Sequence, residues 1–285
     1  MKRVLSLLCL FLLVAHSSAQ TAGKLTVEKV IFSIIDKVGA GKIPNTVDVI
    51  KEGDPQTQVK GVVTTMFATM DVLKKAVEKN CNLIIVHEPV YYNHRDETGN
   101  LSNDPVFQQK QEFIRDNKLV IWRFHDYIHS IKPDGIEQGM VEKLGWKNNM
   151  VKGQYDNFTF PEMTLEQLLS NLKKVFPTNC FYVVGDKNMK LKNVSLAPGA
   201  PGSSAHIKLL GDKNVDVVIA GEAQQWETYE YARDMVSQGN KKAIIFLGHI
   251  PSEEAGMQWA ASWLKGFIKD VPVYFVESGP SYWSY

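Results

Sequence analysis

The chain has 285 residues, 44% hydrophobic, 22% charged and 10% aromatic. That composition excludes wholesale disorder and fibrous repeats and is enough for one large or two small domains. Lys and Arg number 32 against 31 Asp and Glu, a formal charge of +1, so no electrostatic surplus drives binding to nucleic acid or to an anionic membrane.

Lys2 and Arg3 precede an apolar run from Val4 to Ala15, the length of a signal-peptide core and too short to span a bilayer. Ser17-Ser18-Ala19 supplies small residues before a cleavage point, so residues 1–19 are expected to be a leader and the product exported, periplasmic or secreted. No other apolar run is long enough to cross a membrane. Cys81 and Cys180 each begin an apolar run and are expected to pack as small hydrophobes.

Val59–Met66 reads as a buried strand, followed by a helix from its N-cap Thr69 to Lys79. Strands over Leu83–Val86 and Leu119–Phe124 flank a helix over Pro105–Asn117. A further helix runs from Asp134, paired with Glu137 as a capping box, to Leu144 before Gly145. The rhythm returns with strands at Val194–Ala197, Val215–Ala220, Ala243–Leu247 and Pro272–Val276, and helices at Ser203–Leu210, Trp226–Ser237 and Ser252–Ile268. Fully apolar strands alternating with helices predict an α/β protein: layered α/β/α with mainly parallel sheets, in two related halves, 20–146 and 194–285. Residues 147–193 break the rhythm with a helix (Leu165–Phe176) and a strand (Cys180–Val184), and are expected to form a small inserted subdomain.

Three apolar strands run into histidine, at His87, His125 and His249, and a fourth into Glu222. In open parallel sheets ligands bind outside the carboxyl ends of the strands, so these residues should face one crevice. Imidazole and carboxylate together hold Zn, Fe, Mn or Ni, and a carboxylate can bridge two ions. His249 and Glu253 are four apart with Pro251 at a helix start, and His125 and His129 are also four apart, so one helical turn aligns each pair. Glu254 is expected to face outward. A purely structural role for the histidines would predict no metal at all. The loop Pro198–Ser204, with Gly199, Gly202 and Ser203 between a strand and a helix, has the composition of an anion-binding turn or simply of a tight one. No Walker loop, dinucleotide fingerprint or nucleophile elbow is present.

Four segments, Leu83–Pro89, Phe124–Gly145, Val194–Glu222 and Gly248–Gly256, resemble the Nif-three-like family. Its members form hexamers with a dinuclear metal centre, and many are labelled GTP cyclohydrolase I type 2-like. The resemblance implies two divalent ions held by His87, Glu88, His129, His249 and Glu253. It also places His125 outside those five ligands, as a catalytic acid–base group or as a partner that supports a ligand. The neighbouring carboxylates Asp126 and Glu222 are of the kind that orient imidazoles by accepting their second N–H, Glu222 being equally open to a plain surface role. The chain departs from the family's His-His-Pro at His87-Glu88-Pro89, and from its His-Thr-Asn-Leu-Asp at His125-Asp126-Tyr127-Ile128-His129, so a ligand His has become Glu and a ligand Asp has become His. The expectation is an exported metal-dependent hydrolase of a small-molecule substrate, forming a homohexamer by resemblance. It would bind neither nucleic acid nor, once the leader is removed, membrane. A non-enzymatic metal-binding oligomer (scaffold, sensor or store) is the alternative that the same ligands serve.

Overall fold

The computed structural model describes residues 24–283, so the expected leader lies outside the described residues. Helix α1 (Val27–Val38) and strand β1 (Ile50–Glu52) lead into a run of β2 (Val62–Thr65), α2 (Met70–Glu78), β3 (Leu83–Val86), α3 (Pro105–Asp116) and β4 (Val120–Arg123). The short helix α4 (Asp126–Ser130) and α5 (Gly135–Leu144) follow. Then come β5 (Asn157–Thr164), α6 (Leu165–Val175), β6 (Tyr182–Val184), β7 (Lys190–Ala197), α7 (Ser203–Gly211), β8 (Val217–Ala220), α8 (Glu230–Ser237), β9 (Ala243–Phe246), α9 (His249–Lys265) and β10 (Val273–Phe275).

Two five-stranded sheets result, ordered β1-β4-β3-β2-β10 and β5-β7-β8-β9-β6. β10-β2-β3-β4 and β7-β8-β9 are parallel, while β1, β5 and β6 are antiparallel edges. All four residues are buried in each of β2, β3, β4, β8 and β9, which is why β3, β8 and β9 read as unbroken apolar runs: helices cover both faces. The expected α/β class and mainly parallel sheets are observed.

Two expected boundaries change. Residues 147–193 are not a separate subdomain. β5 and β6 form both edges of the second sheet, and Leu165, Leu168 and Leu172 of α6 share one core with Leu196, Val217 and Ile245. The chain also returns to the first half at β10, which pairs with β2, so the second half does not run through to residue 285. The Asp134 cap is one-sided: its carboxylate accepts from the Ile136 and Glu137 amides. Cys81 is buried as expected, whereas Cys180 is exposed.

α9 joins the halves. Met257, Ala260 and Leu264 lie in the first core and Ala255 in the second. Its crossing with α5 is close enough to exclude side chains: a Cβ on Gly139 would stand 2.2 Å from the Ala255 carbonyl oxygen, and one on Gly256 would stand 2.5 Å from Ile136 Cα. Gly139→Ala is therefore expected to cost about 1–3 kcal/mol by forcing two backbones apart. Gly211→Ala, where nothing lies within 4 Å, should be near neutral, and urea denaturation of the two variants checks the contrast.

Candidate metal centre

The carboxyl ends of the parallel strands in both sheets meet at one mouth. His87 and Glu88 follow β3, His125 follows β4, Glu222 follows β8 and His249 follows β9. Gly248, at φ 94°, turns the chain straight from β9 into α9. The helix thus begins at His249, three residues earlier than the sequence suggested, and Pro251 sits within its first turn. That turn brings His249 Nε2 to 3.0 Å from Glu253 Oε2. α4 does the same for His125 and His129, whose ring centroids are 5.0 Å apart.

Four imidazoles have Nδ1 committed to an oxygen acceptor. His87 faces the Phe124 carbonyl at 3.2 Å, His125 faces Asp126 Oδ1 at 2.9 Å, His129 faces Asp134 Oδ2 at 2.8 Å and His249 faces Glu222 Oε1 at 3.1 Å. A carbonyl or ionised carboxylate only accepts, so Nδ1 carries the hydrogen, and in His87, His125 and His129 Nε2 is left to ligate or to exchange a proton, while His249 Nε2 faces Glu88 Oε1 at 2.9 Å and Glu253 Oε2 at 3.0 Å. Ligand atoms of His87, His125 and His129 lie within 4.8 Å of one another, as do those of His87, Glu88 and Glu253. His87 belongs to both groups. It is fully buried, and its Nε2 has no hydrogen-bond partner, the nearest ion-pair atom being Glu253 Oε2 at 3.5 Å. A buried imidazole nitrogen without a partner is costly unless something else binds it, and a divalent cation fits this donor set.

The residues expected as ligands are thus brought together, and Asp126 and Glu222 contact His125 and His249 as expected. His125 also falls in a three-imidazole group, a ligand position as much as a proton-exchanging one. The anion loop fares differently. The Gly199 amide donates to Ser252 Oγ at 3.0 Å, and a Cβ at Gly199 would stand 2.3 Å from Glu253 Oε1. Ser203 Oγ donates to the Glu227 carboxylate. Two of the three expected donors are already used, and the loop's role here is to let backbone pass against Glu253.

Four contributors escaped sequence reasoning. Arg123, fully buried at the end of β4, donates from Nε to the His87 carbonyl at 3.0 Å and from Nη1 to the His94 carbonyl. Its Nη2 pairs with Glu88 Oε2 at 3.2 Å, and Asp96 lies 3.8 Å from Nη1. Glu88 is therefore held by Arg123 on one oxygen and by His249 Nε2, at 2.9 Å, on the other. Buried Asp48 accepts from the amides of His125, Asp126 and Tyr127 at 2.8, 3.0 and 2.8 Å, which fixes the start of α4. Asp134 holds His129. His94 stacks edge-on to His125, centroids 5.6 Å apart. A charged residue ending an apolar strand was the visible signal for Arg123; the others needed the topology.

The electrostatics follow from these contacts. Burial alone would lower the pKa of His249, but hydrogen bonds to Glu222, Glu253 and Glu88 override it and push it up to about 12. Burial opposes ionisation of Glu88, yet the bond to His249 and the nearby His87 hold it at about 2; Glu253 is held well below the carboxylate range in the same way. His125 is lowered to about 4, by burial first and then by His87, so it is neutral at pH 7. On the first turn of α5, burial and then repulsion from Asp134 raise Glu137 to about 7. Its folded pKa exceeds its unfolded one, so the fold loses stability as pH rises from about 4.5 through about 7. Glu137→Gln should match the parent at pH 5 and be more stable by about 1–2 kcal/mol at pH 8.5. Thermal melts at the two pH values check this.

The family model for Duf34/NIF3 (NGG1p interacting factor 3) matches residues 45–280. The chain belongs to the Duf34/NIF3 family. Among curated proteins, a GTP cyclohydrolase 1 type 2 homolog of Clostridium acetobutylicum is 27% identical over 212 residues, covering 70% of this chain and 75% of that one. A homolog of the same name from Chlamydia trachomatis is 22% identical over 226 residues, covering 76% and 84%. Of solved structures, Staphylococcus aureus hypothetical protein SA1388 aligns with a TM-score of 0.73 at 16% identity, over 92% of this chain and 99% of its own. Reduced HcgD from Methanocaldococcus jannaschii aligns with a TM-score of 0.63 at 17% identity, over 88% and 98%. At such identities these structures establish the shared Duf34/NIF3 fold.

Proposed function

We propose that this Duf34/NIF3 protein holds two divalent ions among His87, Glu88, His129, His249 and Glu253, with His125 beside them as the acid–base group, and hydrolyses a small-molecule substrate there. The observation that carries the reading is the common commitment of Nδ1 in four rings, with His87 shared by two groups of ligand atoms. Imidazoles oriented through their second nitrogen are the usual support for metal ligation. Bound there, the ions supply Lewis acidity and bring the pKa of a water towards neutrality.

The chain's own residues supply the rest. His125 is neutral at pH 7 with its Nδ1 hydrogen held by Asp126, so its Nε2 can take a proton and the carboxylate stabilises the imidazolium that forms. Asp126 is itself fixed by the Thr46 hydroxyl at 2.7 Å and the Val47 amide at 3.1 Å, so the pair is held in place. The site opens into a cavity of about 790 Å³ walled by Phe67, Met70, Val90, Tyr92 and Ile250, a size and apolarity suited to a small organic molecule. Export as a leader-cleaved protein and assembly as a homo-oligomer, hexameric by resemblance, belong to the same proposal. Exposed Tyr182, Trp226, Tyr282 and Trp283 are aromatic surface of the kind interfaces use.

Elemental analysis of the purified full chain, followed by calorimetric zinc titration of protein stripped with EDTA, tests the reading. Uptake of about one to two ions per chain that is lost in His87→Ala supports it, and no uptake overturns it. Retained uptake with lost ester or phosphoester turnover in His125→Ala assigns that residue to proton transfer; lost uptake assigns it to ligation.

A further inference from the structure

The cavity that opens onto the histidines is also lined by Lys110, a residue the metal chemistry does not use. Lys110 lies on α3 and is 6% exposed. Its ammonium donates to the Val90 carbonyl at 2.6 Å and sits 5.6 Å from the Tyr91 ring centroid and 5.4 Å from that of Tyr92. Among the described residues it makes no ion pair. The nearby carboxylate, Asp96, is engaged by Lys51 at 3.1 Å and by Arg123 at 3.8 Å. An ammonium has three donors, and a buried one with a single carbonyl acceptor and no counter-ion is far from satisfied. Burial lowers its pKa to about 8, with Asp96 opposing, which is the response of a cation lacking a partner.

The surroundings favour an anion. Thr69 and Met70, at the amino end of α2, line the same cavity. The Thr69 hydroxyl satisfies only the Val72 amide at 3.2 Å, and the first turn of a helix carries partial positive charge. The same cavity is lined by Phe67, Val90 and Ile250 and reaches His125, His129 and His249, so a molecule that fills it touches Lys110, hydrocarbon and the histidines together.

We propose that Lys110 binds an anionic group, carboxylate or phosphate, at one end of the substrate while the reacting end lies at the histidines. Lysine binds such groups as a compact point charge, and the rings of Tyr91 and Tyr92 keep its ammonium in place. The inference names the substrate class of the site and rests on the reading given under Proposed function.

The test titrates the full chain, both stripped with EDTA and zinc-loaded, with sodium phosphate and with sodium acetate at matched ionic strength, following binding by calorimetry. The parent is expected to bind at least one anion in both forms, and the tighter of the two identifies the group. Lys110→Met should weaken that binding at least about tenfold and Lys110→Arg by no more than about threefold. Should the neutral variant fail to fold, methyl spectra of the parent decide: the anion must shift the Met70 and Val90 methyl signals. Anion binding that is indifferent to Lys110→Met, absent from the stripped parent, or silent at Met70 and Val90 overturns the proposal, whether or not zinc is taken up. Lys110-dependent binding in a protein that takes up no zinc upholds the anion site and overturns the metal reading instead.

Discussion

Arg123→Met is expected to cost about 3–5 kcal/mol of stability, enough to lower the melting temperature by roughly 10 °C. The guanidinium is fully buried and ties together four groups: the carbonyls of His87 and His94, and the carboxylates of Glu88 and Asp96. Methionine fills much of the volume but leaves Glu88 with His249 as its remaining close cation and frees the buried His87 carbonyl and the partly buried His94 carbonyl. Most of the cost comes from those abandoned acceptors, so adding Glu88→Gln should recover part of it, a coupling that a double-mutant cycle reads directly. The same geometry accounts for glutamate at position 88: a histidine there, kept neutral by burial and by the guanidinium, would remove the nearest counter-ion of Arg123 and put no negative charge in its place. Glu88→His is thus expected to destabilise the protein rather than improve its site. A loss below about 1 kcal/mol in Arg123→Met, by urea denaturation, would contradict this account.

His249→Ala should produce the largest change at the site itself. In the metal-free protein the imidazolium is the counter-ion for Glu88, Glu222 and Glu253, two of which are buried. Removing it is expected to cost about 3–5 kcal/mol near neutral pH. The sign of the pH dependence follows from the shifts. His249 is raised to about 12, so its contribution is complete below about 6.5 and is lost as pH climbs towards 12. Glu88 is depressed to about 2, so its contribution is present above about 4.5 and is lost as pH falls towards 2. The gap between parent and variant should therefore be widest between about pH 4.5 and 6.5 and shrink on either side. Melting curves across that range, with EDTA present, measure it. A divalent ion supplied to the variant should restore part of the lost stability by replacing the missing positive charge, while binding at least about tenfold more weakly than to the parent.

Much of this was legible in the sequence, because its strongest signals are local. Unbroken apolar runs such as Leu83–Val86 and Ala243–Phe246 announced strands covered on both faces, and the histidines directly beyond them were placed at one mouth by the general behaviour of parallel sheets. The four-residue spacings of His125 with His129 and of His249 with Glu253 needed only one helical turn each. What stayed hidden depends on pairing between distant segments. Nothing local assigns β5 and β6 to the edges of the second sheet, so residues 147–193 looked detached. Asp48 precedes β1, which is three residues long, and only the antiparallel pairing of β1 with β4 carries it to the amides that open α4. Asp134 was visible as a helix cap, but its second oxygen bonds His129 across a loop. The two departures from the family's ligand pattern also become physical in the fold: Glu88 answers a buried guanidinium, and His129 answers Asp134.

The return of the chain to its first sheet has a consequence for biogenesis. β10 lies beside β2, and just beyond it Ser278 bonds Thr65 and Phe67, more than two hundred residues upstream. During synthesis the amino-terminal sheet must wait, one flank bare, until nearly everything else has emerged. Cutting the gene between the halves should therefore give two fragments that complement each other rather than two self-sufficient proteins.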